Sequence, residues 1–342
     1  MNTAFLSPSD GQWADVLETV RHDVYHRPAY VRASSEHEGG TPVAFYAEDA
    51  SGLLLAPLLL RAIPETERID ATSPYGYPAP LWTAADPTPH WAAFLHAAQT
   101  RGLVSVFVRL HPFLPIPAPS CFPDGRAAVV KHGPTVWIDC ARSPETMWAN
   151  TRSGHQSDLR RLQREGYYVE VSGEAAPVDA LLPEFVALYR ETMDRVGASP
   201  FYDFSDAYFR AWAHSLRPYC RIAVVRSERG AAAAAGLFTE VDGWMQYHLS
   251  GTAAAHRPLA PAKLMLHAVR VRAHHGPCTR LHLGGGVGAD TDSLFDFKAG
   301  FSPTRASFSS LRIVCDPDAY RALRPEAPPP GEGFFPAYRS QT

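Results

Sequence analysis

Apolar positions along this chain follow two rhythms that recur in the same order. PVAFYAEDASGLLLAPLLLRA (42–62) alternates and clusters apolar residues around a Gly-containing turn, which predicts strand, turn and strand. PHWAAFLHAAQTRG (89–102) then has helical spacing, and LVSVFVRL (103–110) reads as another strand. The second half repeats the series: RIAVVRSERGAAAAAGLFTE (221–240) as two strands, GWMQYHLSGT (243–252) as a third, PAKLMLHAVRVRAHHG (261–276) as a helix and TRLHLGGG (279–286) as a strand. Even the helix centres correspond, Leu95-His96-Ala97-Ala98 against Leu266-His267-Ala268-Val269. The pattern is that of two copies of one α/β unit with mixed sheets.

Between the copies, VWIDC (136–140) is expected to close the first unit as a strand. SPETMWANTRSGHQSDLRRLQREG (143–166) is expected to form one long helix, with Ser143 as N-cap, Pro144 at the first helical position and Gly166 at the exit. YYVEV follows as a strand, then helices over DALLPEFVALYRETMDRVG and SDAYFRAWAHSLR. These divisions give an N-terminal domain at 1–142, a C-terminal domain at 143–325 and an irregular tail at 326–342 with the segment APPPGEG. A length of 342 residues suits two domains, and 46% hydrophobic residues suffice to build their cores.

Composition narrows the function mainly by exclusion. The longest apolar runs, such as LLLAPLLL, are far too short to span a bilayer and no signal-peptide pattern opens the chain, so a cytoplasmic protein is expected. Five scattered cysteines without a C-x-x-C suggest neither a disulfide framework nor a zinc site. Residues 1–140 carry nine basic and fourteen acidic side chains, against 23 and 21 in the remainder, an asymmetry too modest to establish a nucleic-acid partner. There is no H-E-x-x-H, G-x-S-x-G or Walker lysine, and His274-His275 lacks ligand spacing, so no metal and no cofactor are expected. LGGGVGAD (283–290) matches G-x-G-x-x-A, yet no long helix or βαβ unit follows it. Loop glycines that permit close backbone approach are the better account.

Only three lysines occur, Lys131, Lys263 and Lys298, in a chain whose Lys and Arg together number 32. Lys298 lies in DSLFDFKAGFS (292–302), where Asp292 is a fitting N-cap and Leu294, Phe297 and Phe301 have helical spacing with Gly300 as a left-handed stop. A strand with Phe295, Phe297, Ala299 and Phe301 alternating fits as well. Either way aromatic anchors fix the segment and Lys298 offers a directed positive charge, although an ordinary surface lysine at a helix C-terminus has the same signature. Arg152, His155, Arg160, Arg161 and Arg164 lie within about three helical turns and suit phosphate binding, or simply a solvated face. Tyr75, Tyr77 and Tyr247 combine an apolar ring with a polar hydroxyl, as cleft-lining or core tyrosines do. Tyr25 and His26, in DVYHRPAY, fit a structural role as well as a functional one.

The order of elements, with SPYGYPAPLW, DLRRLQREGY, YHLSGT, PAKLMLHAVR, LHLGGG and SLFDFKAGF, resembles the Fem peptidyltransferases over roughly residues 20–315. The resemblance implies two tandem GNAT-like acyltransferase domains with a cleft between them, and transfer of an amino acid from aminoacyl-tRNA to an amine of a peptide, cell-wall precursor or natural product. The family's F-K-x-G-F lysine implies that Lys298 stabilises the oxyanion of the tetrahedral intermediate, with Asp296 and a tyrosine as orienters, while the arginine segment holds an acceptor phosphate. The coiled-coil arm of some members is missing, and a short, monomeric type is expected. The place of the pyrophosphate-binding glycine loop of acyl-CoA enzymes reads HRPLAPAK (256–263), whose prolines remove amide donors. An acyl-CoA-dependent N-acyltransferase and a non-catalytic ligand-binding protein are the alternatives.

Overall fold

The computed structural model describes residues 1–173, 176–324 and 326–340. Two compact units emerge, Met1–His132 with Ser307–Thr342, and Gly133–Ala306. The strands are β1 (Asn2–Leu6), β2 (Thr41–Asp49), β3 (Gly52–Ala62), β4 (Ile69–Thr72), β5 (Leu81–Trp82), β6 (Leu103–Leu110), β7 (Ala127–Asp139), β8 (Tyr168–Val171), β9 (Cys220–Arg226), β10 (Ala232–Val241), β11 (Trp244–Thr252), β12 (Arg280–Gly284) and β13 (Arg305–Val314).

In the first unit β1, β2, β3 and β4 pair antiparallel in turn, β4 pairs parallel with β6, and β6 pairs antiparallel with β13. In the second, β8, β9, β10 and β11 pair antiparallel, β11 pairs parallel with β12, and β12 pairs antiparallel with β7. The repeat seen in the sequence is therefore a repeat of sheet topology, strand for strand apart from β5, which pairs with β3 in the first unit alone among the described residues. Each parallel pair requires a crossover, which the helices Thr88–Thr100 and Ala262–His275 supply.

The closing strands are exchanged. Val136–Asp139, expected to complete the first unit, pairs instead with β12, Ile138 opposite Leu281 and Asp139 opposite Arg280. The strand that completes the first sheet is β13, with Leu311 opposite Val108. An alternating V-W-I-D run fits either sheet edge, so the local pattern could not say which one receives it. The division between units accordingly falls at His132–Gly133 and the first unit takes back the chain from Ser307, unlike the consecutive division at 142 and 325.

The single helix expected over 143–166 is two, Pro144–Ala149 and Ser153–Arg164. Ser143 Oγ accepts from Thr146 N as the expected N-cap. The interruption is held by partners distant in sequence: Arg152 N donates to Gly300 O (2.8 Å), and Arg270 donates to Met147 O and Thr151 Oγ1. Pro183 sits inside the helix Val178–Val196. Around β7, β11 and β12, the second unit's core gathers Ile138, Met245 and Leu281 with Leu159, Leu162, Leu266 and Val269 from two helices and Phe295 and Phe301 from the lysine segment.

Among the described residues the tail contains only a short 3₁₀ turn, Ala337–Arg339, yet Phe335 and Ala337 are buried against Val104, Val314 and Tyr320. Arg339 and Arg61 both pair with the fully buried Asp70 carboxylate of β4. Pro325, the expected boundary, and residues 341–342 lie outside the described residues. No described helix is long and apolar enough to cross a membrane.

Candidate active site

Of the two conformations open to the Lys298 segment, the chain adopts the helix, Ser293–Ala299. A seven-residue helix is too short to persist alone, so its ends must be held by the rest of the fold. At the N-terminus Asp292 Oδ1 accepts from Phe295 N (2.9 Å), while Oδ2 accepts from Val287 N in the glycine-rich loop (3.1 Å). These amides, that of Phe295 foremost, hold the Asp292 carboxyl below its ordinary range. The loop comes close enough only because residue 286 is glycine: a Cβ there would lie 2.2 Å from Asp292 Oδ1. That accounts for Gly286 of LGGGVGAD, while Gly284 and Gly288 adopt positive φ.

Lys298 itself is buried, with 8% exposure, and does not reach into bulk solvent. Its Nζ donates to Gly285 O at 2.5 Å, the one hydrogen bond it makes among the described residues. An ammonium has three N–H donors, so two have no acceptor among the described residues. Burial lowers its pKa to about 8, with the Asp292 charge opposing the shift. Asp292 is therefore the carboxylate that acts on Lys298. Asp296, the expected orienter, is exposed and makes no side-chain hydrogen bond among the described residues.

At the other end Gly300 is right-handed (φ −67°), not the expected left-handed stop. Its lack of a side chain is used differently, because a Cβ would lie 2.3 Å from His155 Nε2. His155 is buried, its Nε2 donates to Phe297 O (2.8 Å), and its ring packs edge-on against Phe301 at 4.9 Å. Burial lowers its pKa. His155 thus joins the arginine helix to the lysine helix and is not presented to a ligand.

The remaining expected residues separate by environment. Arg152 is exposed and Arg305, on β13, lies over the Phe295 ring at 5.4 Å; neither has an acidic partner among the described residues. Burial lowers the Arg305 pKa, and the Arg152 charge lowers it further, so the two guanidiniums repel each other. Arg305 also donates to Ser302 O (2.7 Å) and Thr304 O (3.0 Å), and two neighbouring cations without an acidic partner among the described residues suit an anion. Arg305 was not singled out in the sequence, since an arginine opening a strand has no distinguishing pattern. Arg160 covers the Trp148 ring at 5.2 Å, and Arg161 is committed to Asp158 (3.4 Å) and Leu259 O. Tyr247 stacks on Phe238 and donates to Ser250 Oγ (2.6 Å), a core role.

Tyr75 and Tyr77 belong to the first unit. Tyr75 N donates to Glu38 Oε1, and Tyr75 O accepts from Tyr30 OH. Tyr77 packs edge-on against Tyr25, His111 and Phe308. His26 is fully buried in a capping box with Asp23, and burial lowers its pKa to about 3; its role is structural. At HRPLAPAK the chain forms a 3₁₀ turn, Ala254–Leu259, and Ala260 adopts φ +52° before the helix begins. Pro258 and Pro261 supply no amide donor at that entrance.

Comparison with known proteins agrees with this architecture. The Acetyltransferase (GNAT) domain family matches residues 149–298. No curated protein is significantly similar. The crystal structure of FemX superposes with a TM-score of 0.70 at 12% identity, over 94% of this chain and 99% of that one. L-PGS from Bacillus licheniformis gives 0.60 at 16% identity, covering 91% and 93%. The C-terminal domain of a putative lysylphosphatidylglycerol synthetase from Agrobacterium fabrum gives 0.58 at 15%, covering 92% and 94%. These likenesses establish the fold, and the matched segment runs from the 150–152 bend through Lys298. Residues 149–298 match the Acetyltransferase (GNAT) domain family, and the chain shares the fold of FemX.

Proposed function

We propose that this enzyme forms an amide by transferring an aminoacyl group from aminoacyl-tRNA to a primary amine on a small acceptor that bears an anionic group. The observation that carries this reading is Lys298, a buried ammonium with one protein acceptor and two N–H groups that have none among the described residues. The amine nitrogen attacks the ester carbonyl carbon, and negative charge develops on the carbonyl oxygen, where a preorganised ammonium lowers the barrier. Collapse of the intermediate breaks the ester C–O bond, releases the tRNA hydroxyl and leaves the amide; the amine's proton passes to water. An aminoacyl ester is already activated, so proximity and charge stabilisation suffice without a covalent nucleophile. Arg152 and Arg305 would hold the acceptor's anionic group. The name of one structure of like fold, a lysylphosphatidylglycerol synthetase, itself describes an aminoacylated product, which supports the donor class.

The match to an acetyltransferase domain favours acyl-CoA as the second reading, but the proline-interrupted entrance to Ala262–His275 offers few amides to a pyrophosphate. Incubating the enzyme with mixed amine acceptors and either total charged tRNA or acetyl-CoA separates them. Amide formation that RNase abolishes supports the proposal; RNase-resistant product from the thioester overturns it.

A further inference from the structure

The helix Ala262–His275 places an arginine on its own apolar face. Leu266, Val269 and Ala273 are buried in the second unit's core, and Arg270, within one turn of each, has 0% exposure. No carboxylate pairs with it among the described residues. Burying an unpaired guanidinium is far more costly than burying an apolar side chain, so its donors must accomplish something that packing alone does not.

Those donors reach three separate segments. NH1 donates to Met147 O (3.2 Å) and Thr151 Oγ1 (2.8 Å) at the bend before the arginine helix, and to Phe301 O (3.4 Å) just beyond the lysine helix. Nε and NH2 reach His267 Nδ1 at 3.2 and 3.0 Å. Burial, and then the Arg270 charge, lower the His267 pKa to about 4, so it is the neutral acceptor this contact needs. The guanidinium also lies over the Phe301 ring at 5.5 Å. A rigid planar fork can hold several acceptors in fixed relation, which a single ammonium cannot.

We propose that Arg270 is a positioning residue that sets the Lys298 helix against the bend at 150–152, and so fixes the separation of Lys298 from Arg152. This rests on the reading of Lys298 as the reacting cation. Phe301 N donates to Lys298 O (3.0 Å), so a shift at Phe301 is transmitted to the lysine within one turn. The charged and titratable groups around this helix are Asp292 and Asp296 on its own segment, Arg152 and His155 from the arginine helix, Arg305 from β13, and Arg270 with His267.

The chain's three lysines make the test direct, because protein labelled with ¹³C-lysine gives only three Cε signals to follow against pH. Arg270→Met is compared with Thr151→Val, which removes only the shortest contact, and with Leu181→Ala, a core truncation on another helix with a similar loss of Tm. The expected result is that Arg270→Met moves the Lys298 titration upward from about 8 toward 10.5, with Thr151→Val moving it less, while Leu181→Ala leaves it in place. In turnover, kcat falls about tenfold or more with KM little changed, as expected when a reacting group is displaced by a fraction of an ångström. An unmoved Lys298 signal in Arg270→Met, or in Thr151→Val if the former does not fold, overturns the proposal. The titration needs no substrate, so a fully active Lys298→Arg paired with a shifted signal would keep the positioning role and sink only the catalytic one.

Discussion

Gly300→Ala is a substitution for which backbone and packing forecast opposite signs. At φ −67° and ψ −13° alanine is fully allowed, and replacing glycine in such a conformation stabilises by about 0.4–1 kcal/mol through the unfolded chain. The new methyl, however, would sit 2.3 Å from His155 Nε2 and 2.6 Å from its Cε1. The imidazole cannot easily yield, being buried, edge-on to Phe301 and bonded to Phe297 O. Displacing it leaves Phe297 O short of a partner, about 1–3 kcal/mol, and adds overpacking of about 1–3 kcal/mol. After the backbone gain is deducted, a net loss of about 1–6 kcal/mol remains, with its middle near 3, or roughly 6–12 °C at that middle value in the unfolding of this unit. Thermal unfolding followed by circular dichroism measures it, and the cycle with His155→Ala isolates the cause. The double variant must recover much of the loss, since the shortened side chain vacates the space. A Tm that rises in Gly300→Ala, or additive losses in the cycle, would refute the packing argument.

Other outcomes follow from the same geometry. Native Lys298 releases its proton near pH 8 and the unfolded lysine near 10.5, so the unfolded chain holds more protons between those values and stability rises with pH across that window. Below pH 8 the full cost, about 3 kcal/mol, is present; Lys298→Met is therefore expected to raise Tm at pH 7, by a margin that shrinks toward pH 10.5 in a pH series of melts. If the protonated lysine stabilises the oxyanion, turnover falls above about pH 8, and the residual activity of Lys298→Arg, which stays charged, lacks that fall. Asp292→Ala, which removes the acceptor for Phe295 N and Val287 N, should cost about 1–2 kcal/mol in denaturant unfolding, while Asp296→Ala at its exposed position should change stability by less than about 0.5 kcal/mol. Arg339→Ala leaves the buried Asp70 with Arg61 and Tyr338 as its side-chain partners; a loss of about 3 kcal/mol in the same assay is expected, and an unchanged midpoint would show that the tail contributes little.

Much of this protein is written in local pattern. The strand-turn-strand blocks, the crossover helices, the duplicated order of elements and the caps at Ser143 and Asp292 depend on neighbours within a few residues, and each formed as the periodicity requires. Lys298 stood out because so few lysines occur, and aromatic spacing placed it on an anchored segment. Its carboxylate partner was misassigned: Asp296 is nearer in sequence but, two residues from Lys298 on a helix, it faces away and is exposed, while Asp292 is turned inward by the Val287 and Phe295 amides. Arg270 carried a faint signal, an arginine in phase with Leu266 and Ala273, that only burial makes meaningful.

What the sequence by itself determined, then, is the inventory of elements and the duplication, because hydrogen-bonding period and side-chain alternation are properties of short stretches. Which sheet receives Val136–Asp139, where the long helix breaks, and that Gly300 exists to admit a histidine were decided by tertiary structure alone. Each depends on a partner more than 100 residues away, β12, Arg270 and His155 respectively, and no local pattern encodes the position of a group so distant in the chain.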